Sequence, residues 1–267
     1  MRKLSKKVEQ LTHKTGGEWG IVLKDLQTKE IYGLNSALSF NAASVIKVPI
    51  MAAVFQGIDE GRYQLNDKLT LTEGEQVGGA GVLQHMTPGT KLTLEDLVVL
   101  MIIQSDNTAT NMIIELIGKS HINEFMQSLE MTNTVLYNKL MLPPEQRRGP
   151  LNQTTANDQV LLLEKMHKGT LVSSLASKHM LKIMKQQQIR DRLPHLLRYD
   201  YPQEEEPAWE LGHKTGSISK HRHDVGIFYV NNRAMIAVVF ARNAHELALE
   251  TTIAQIGKSV FKYLLEN

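Results

Sequence analysis

Ser44-Val45-Ile46-Lys47 opens an apolar run that reaches Phe55. A serine and a lysine three positions apart share one face of a helix, about one turn from each other. Their neighbours are Val, Ile, Met, Ala and Phe, so this helix is expected to be buried on most sides. Burial penalises an ammonium and favours the free amine, which can take a proton from an adjacent hydroxyl and make it a nucleophile. The same residues also suit a helix N-cap serine followed by a surface lysine. The rest of the chain has to decide between these.

Working outward, Leu4, Val8 and Leu11 recur at helical spacing, and Gly16-Gly17 ends that helix. Residues 19–26 and 30–34 are short strand-like runs joined by a polar connection, which reads as a β-hairpin. Pro49 lies close to the start of the Ser44 helix, where it is tolerated. From 61 to 192 the texture changes to helices joined by polar loops. Thr93-x-x-Asp96 is a capping-box-like start for an apolar helix over 94–104. Ser105-Asp106-Asn107 interrupts it, and a second helix runs to Gly118. Further helices are expected over 122–129, from Thr155-x-x-Asp158 to near Gly169, and over 178–188. Residues 136–154, with Pro143-Pro144 and Gly149-Pro150, have no clear period and read as a long irregular loop.

After Arg192 the acidic, proline-bearing stretch 201–207 reads as a solvated connection, with Glu204-Glu205-Glu206 as a solvated run. Strand-like runs follow at 210–215, 225–230 and 234–241, with Asn231-Asn232 as a tight turn, and a helix over 244–265 closes the chain. Strands at both ends with helices between predict an α/β (α+β) fold. One antiparallel sheet is built from both chain ends and flanked by helices, and an all-α lobe is inserted in the middle. The expected division is 1–60 with 193–267 as the α/β lobe, and 61–192 as the helical lobe.

Composition narrows the function. The 267 residues carry a net charge of +2 and no cysteine. Length suits one large domain or two closely packed lobes. The near-neutral charge argues against nucleic acid as a partner. Without cysteine there is no disulfide, thiolate zinc site or thiol nucleophile. No apolar run approaches the length of a bilayer span. Charges at Arg2, Lys3, Lys6 and Lys7 continue where a signal peptide has its apolar core, so the chain as written reads as cytoplasmic. A chain trimmed of an export leader would read the same way.

Three polar islands now stand in order: Ser44-x-x-Lys47, Ser105-Asp106-Asn107 and Lys214-Thr215-Gly216. The set resembles the signature of the active-serine penicillin-recognising family, and most closely its class A β-lactamase branch. The likeness covers nearly the whole chain. It implies the β-lactamase/transpeptidase-like fold, a monomer, no cofactor and no metal. The implied substrate is a small molecule, either a β-lactam or a peptidoglycan-like peptide. By the same resemblance Ser44 would be the nucleophile and Lys47 its base, acting directly or through water. Ser105 would pass a proton to the leaving nitrogen, and Asn107 would hydrogen-bond the substrate amide. Lys214 would hold Ser105 and attract the substrate carboxylate, with Thr215 adding a hydroxyl contact. The N–H groups of Ser44 and Ser217 would form the oxyanion hole. Gly216 would let backbone approach the substrate, and the glycine-rich stretch 76–86 would be a flexible loop gating the cleft. Independently of the family, two lysines converging on one cleft depress each other's pKa, as a lysine base requires.

One element departs from the pattern. Class A enzymes carry a loop glutamate that activates water against the acyl-enzyme. Counting forward from Ser105, or from the start of the 136–154 loop, puts Leu140 or Met141 there. Glu145 is the loop's single carboxylate and the candidate deacylation base, although Arg147 and Arg148 nearby suggest a salt-bridged surface acid. Acylation is therefore expected with slow deacylation, and three readings stay open. They are a class A-type hydrolase of β-lactams, a penicillin-binding D-Ala-D-Ala peptidase or esterase, and a non-catalytic binder of β-lactams or cell-wall peptides. His213, His221, His223 and Asp224 could imitate a metal site, but they read as polar residues of the rim.

Overall fold

Alternate residues of a strand face opposite sides of its sheet, so a strand apolar at nearly every position has to be covered on both. Residues 234–241 have that character. The computed structural model, which describes residues 1–197 and 209–266, shows what covers each side. The chain begins with α1 (Arg2–Thr15), β1 (Glu18–Asp25), β2 (Ile31–Leu34), β3 (Phe40–Asn41), a 3-10 turn at Ala43–Ile46 and α2 (Lys47–Asp59). It continues through β4 (Lys68–Thr70), β5 (Lys91–Thr93), α3 (Leu94–Ile103), α4 (Asn107–Ile117) and α5 (Lys119–Ser128). After a long loop come β6 (Gln153–Thr154), α6 (Ala156–His167) and α7 (Ser174–Lys185). The last part is β7 (Trp209–Ile218), β8 (His221–Val230), β9 (Arg233–Arg242) and α8 (Glu246–Glu266).

Five strands form one antiparallel sheet in the order β2-β1-β9-β8-β7. Both chain ends meet in it, since β1 pairs with β9 from Glu18 opposite Arg242 to Asp25 opposite Met235. This is the α/β (α+β) architecture the sequence predicts. On one face, Ile21 and Leu23 of β1 and Met235, Ala237 and Val239 of β9 pack with Leu4 and Val8 of α1 and Ile253 and Phe261 of α8. On the other, Val22, Ile236, Val238 and Phe240 join a core that continues through α2, α3, α4 and α6. The parity of a strand thus assigns each apolar residue to one of two cores.

Several boundaries move. Ser44 lies in the 3-10 turn, and the α-helix begins only at Lys47. In a 3-10 turn residues i and i+3 eclipse, which stacks Ser44 and Lys47 more directly than an α-helix does. The strands expected at 210–215 and 225–230 reach on to Ile218 and back to His221. The sequence reading stopped at their polar residues, whose partners are tertiary. Ser173 caps α7, accepting from Ala176 N, so that helix starts and ends before the expected 178–188. The 76–86 stretch, expected to be flexible, is fastened: Val82 N and Leu83 N donate to Asp106 Oδ2 at 2.6 and 2.9 Å, and Val77 N donates to Thr108 Oγ1 at 3.1 Å. The expected connection at 201–207, with its glutamate run, lies outside the described residues. Among the described residues no helix is long and apolar enough to cross a membrane.

Gly257 in α8 marks a close approach, since a Cβ there would stand 2.0 Å from the Leu193 carbonyl oxygen. Alanine gains about 1 kcal/mol of helix propensity over glycine, whereas forced overpacking costs about 1–3 kcal/mol or more. The clash wins. Gly257→Ala is expected to lower the thermal midpoint by several degrees in a calorimetric scan; an unchanged or higher midpoint would contradict this packing.

Candidate active site

The three islands come from separate parts of the chain and meet at the edge of the sheet. Ser44 and Lys47 are carried by the turn and first residue of α2, Ser105 and Asn107 by the α3–α4 junction, and Lys214 to Ser217 by β7. Because β7 is an edge strand, alternate backbone groups on it have no strand partner and are available to the cleft. Gly216 has a further use. A Cβ there would lie 3.0 Å from Val45 Cγ2 and 3.4 Å from Ala43 Cβ, so its bare backbone lets β7 pack against the turn that holds Ser44.

Lys47 is fully buried, and its Nζ lies 2.6 Å from Ser105 O, 2.8 Å from Asn107 Oδ1 and 3.1 Å from Ser105 Oγ. Lys214, also fully buried, donates from Nζ to Ser105 Oγ at 3.0 Å and to Thr215 O at 2.9 Å. One hydroxyl therefore sits between two buried amines. Burial first, then the charge of Lys214, pushes the Lys47 pKa well below the ordinary lysine value, with Asp106 opposing. Lys214 is pushed down to about 7, again by burial first, with Asp224 and Asp191 opposing and Arg192 reinforcing. No side-chain hydrogen bond among the described residues engages Ser44 Oγ, which stands free in a cleft of about 580 Å³. Asn107 is occupied at both ends, its Oδ1 by Lys47 and its Nδ2 donating to Gly78 O at 3.1 Å.

Backbone strain gathers at this site. Ala43, Ser105 and Met141 take φ of 43°, 55° and 60°, a left-handed region that costs a non-glycine residue about 1–2 kcal/mol. Ala43 precedes Ser44, Ser105 carries the shared hydroxyl, and Met141 lines the cleft.

The 136–154 loop is built on asparagines that the sequence reading passed over. Asn152 Oδ1 accepts from Tyr137 N and Asn138 N at 2.8 and 2.9 Å, and its Nδ2 donates to Asn138 O at 3.0 Å. Asn138 in turn donates from Nδ2 to Pro150 O. Asn111 of α4 grips Leu140 by both backbone groups, Oδ1 accepting from its N–H at 2.8 Å and Nδ2 donating to its carbonyl at 3.0 Å. Both Leu140 and Met141 line the cleft. Glu145 does not; it is exposed on the short turn Pro144–Gln146 and, contrary to the expectation of a salt-bridged acid, forms no ion pair among the described residues. Arg147 instead donates to Leu142 O.

Arg192 is the second omission. It is buried, donates from Nη2 to Ser217 Oγ at 2.6 Å and from Nη1 to His223 O at 3.2 Å, and lines the cleft. In sequence it is one charge in Arg190-Asp191-Arg192, and nothing local separates it from a surface residue. The histidines need a correction too, since His213, His223 and Asp224 are buried and not rim residues. His213 Nδ1 lies 2.9 Å from Asp224 Oδ1, and His223 lies between Phe40 and Phe240 with Nε2 2.9 Å from Asn41 O. Burial drives the His223 pKa down to about 3, so it is neutral. Among the described residues no three histidine or carboxylate side chains group as metal ligands.

A model of the Beta-lactamase enzyme family matches residues 3–264. A β-lactamase structure from Sphaerobacter thermophilus is 32% identical with a TM-score of 0.88, covering 97% of this chain and 96% of that one. A leucine-to-glutamate mutant of PBP-A, solved as its acyl-enzyme with penicillin G, is 27% identical with a TM-score of 0.86, covering 100% and 98%. β-Lactamase VEB-1 of Pseudomonas aeruginosa is 24% identical over 99% of this chain and 91% of its own length.

The Lys214 shift carries a stability consequence. Between about 7 and the ordinary value of 10.5, the unfolded chain holds a proton that the folded chain has released, so this group makes stability rise with pH across that window. Lys214→Met is expected to show a smaller rise in thermal midpoint from about pH 7 to about pH 9.5 than the parent; an equal rise would mean that the amine is not depressed.

Proposed function

The chain belongs to the beta-lactamase enzyme family and is a serine hydrolase of that kind, and we propose that it acylates Ser44 with β-lactams and releases the acyl group slowly. The observation that carries this reading is the single Ser105 hydroxyl between two buried lysines beside a free serine. A neutral amine has two N–H donors and one lone pair. Lys47 Nζ can donate to Ser105 O and Asn107 Oδ1 while its lone pair faces the Ser105 hydroxyl at 3.1 Å. The downward pKa shift of Lys47, from burial and the charge of Lys214, favours this base form.

In the proposed reaction Lys47 takes the Ser44 proton, Ser44 Oγ bonds to the lactam carbonyl carbon, and the oxyanion is met by the N–H groups of Ser44 and Ser217. Each such donor is worth about 3–4 kcal/mol to the transition state. The C–N bond then breaks, and the proton reaches the nitrogen through Ser105. Lys214, Thr215 and Ser217 receive the substrate carboxylate, with Arg192 holding the Ser217 hydroxyl and adding charge. Asn107 fixes the Lys47 amine.

Slow release follows from the loop. Asp191 is the one carboxylate among the described residues that line the cleft, and it lies 3.6 Å from Arg192. Leu140, gripped by Asn111, offers no base. A peptidase or esterase of the penicillin-binding type is the second reading, favoured by the same leucine. The PBP-A relative was solved with a leucine replaced by glutamate.

Ser44→Ala is expected to abolish the covalent adduct with penicillin G in intact-mass spectra, and a labelled variant would sink the assignment. Leu140→Glu is expected to shorten the adduct lifetime tenfold or more, since a positioned general base commonly supplies about 10²–10⁴. An unchanged lifetime would show that this position does not address the ester.

A further inference from the structure

The cleft has two unlike walls. Arg192, Thr215 and Ser217 make one side cationic and polar, with Lys214 buried behind them, while Leu140, Met141, Leu142 and Leu151 make the other apolar, and Ile218 follows Ser217 along the strand. Nine large apolar side chains are exposed among the described residues, and three of them, Met141, Leu151 and Ile218, border this one cleft. Scattered exposed apolar residues need no explanation, but a cluster rimmed by polar groups marks a binding surface.

The Met141 side chain is aimed and not merely open. Its backbone is held in the left-handed region directly after Leu140, whose two backbone groups are fixed by Asn111. Its sulfur lies 3.2 Å from where a Cβ on Gly79 would stand, so it reaches across to the glycine-rich loop on the Asn107 side. Of the two cations on this wall one is neutralised by a carboxylate and one is anchored to backbone. Lys139 pairs with Glu115, and Arg147 Nε donates to Leu142 O at 2.9 Å.

We infer that the cleft selects acyl donors whose acyl group carries an extended apolar chain. That chain packs on Met141, Leu151 and Ile218, while the carboxylate on the leaving-group side faces Arg192, Thr215 and Ser217. The inference rests on Ser44 as the nucleophile. Bond changes are those already described: the Ser44 ester forms, the C–N bond breaks, and the serine proton ends on nitrogen. The chain contributes through binding alone, and a flexible thioether suits chains of differing shape.

The test takes the whole chain and a series of 6-acylaminopenicillanic acids from acetyl to octanoyl, kept below their aggregation threshold. The second-order rate of Ser44 labelling is read by intact mass. Burying one methylene is worth about 0.8 kcal/mol, or about fourfold in rate at full burial. The rate is expected to climb about two- to fourfold per carbon over the early members. Met141→Ser and Ile218→Ser are each expected to cut the octanoyl-to-acetyl ratio severalfold, and a chain of equal length ending in carboxylate is expected to lose the gain. A flat or falling series in a protein that labels on Ser44 overturns the apolar acyl site and leaves the nucleophile standing. An undiminished ratio in both variants overturns it as well. Labelling by no member of the series overturns the nucleophile assignment, and this inference with it.

Discussion

The Ser105 hydroxyl lies within hydrogen-bond reach of two lysine amines, at 3.1 Å from Lys47 and 3.0 Å from Lys214, with water excluded from both. Two ammonium groups so placed stand no more than about 6 Å apart, and at an effective dielectric constant of about 20 their repulsion is about 3 kcal/mol. Burial adds a penalty for each charge. The arrangement is tolerable only if one amine gives up its proton, and Lys47 has the stronger reason. The charge of Lys214 pushes it down with Asp106 opposing, whereas Lys214 has two carboxylates opposing, Asp224 and Asp191, against Arg192. In the proposed reaction a neutral Lys47 serves Ser44 as a base without further adjustment, so the packing that makes the site costly is also what would make it reactive.

Much of the fold can be seen as what holds that pair in place. The sheet joins both ends of the chain, and its edge strand β7 brings Lys214 against the turn of Ser44 through the gap left at Gly216. The α3–α4 junction brings Ser105 in a strained conformation, fixed by the buried Asp106 that also ties down the glycine-rich loop. On the far side, the asparagine pair Asn138–Asn152 and the grip of Asn111 on Leu140 give the long loop a fixed backbone. A fixed backbone that presents the apolar Leu140 to the cleft is what the proposal of slow acyl release rests on.

What could be read from the sequence divides along physical lines. Periodicity and capping residues located the helices well, since Thr93, Thr155 and the 3.6-residue pattern act locally. The apolar run 234–241 likewise read as a strand, which became β9. The three islands pointed to Ser44, Lys47, Ser105 and Lys214, which the fold brings together, because such polar residues are unusual on a buried helix, a helix junction and a strand. Arg192, Asn111, Asn138 and Asn152 stayed hidden, because their roles arise only when distant segments meet, 24 residues apart for Arg192 and Gly216 and 29 for Asn111 and Leu140. The polar ends of β7 and β8 were misread for the same reason. There Ser217 is held by Arg192, His223 by the Asn41 carbonyl and Asp224 by His213, which no local pattern records.

The most direct test of the account is the titration of the two amines themselves. In protein labelled with ¹³C-lysine, with the Lys47 and Lys214 signals assigned through single substitutions, the Cε shifts are followed against pH. The account predicts that Lys47 loses its proton far below the ordinary lysine range, and that Lys214 does so near pH 7. If both amines keep their protons up to the ordinary value of 10.5, the shared hydroxyl does not have a base beside it, and the central claim fails.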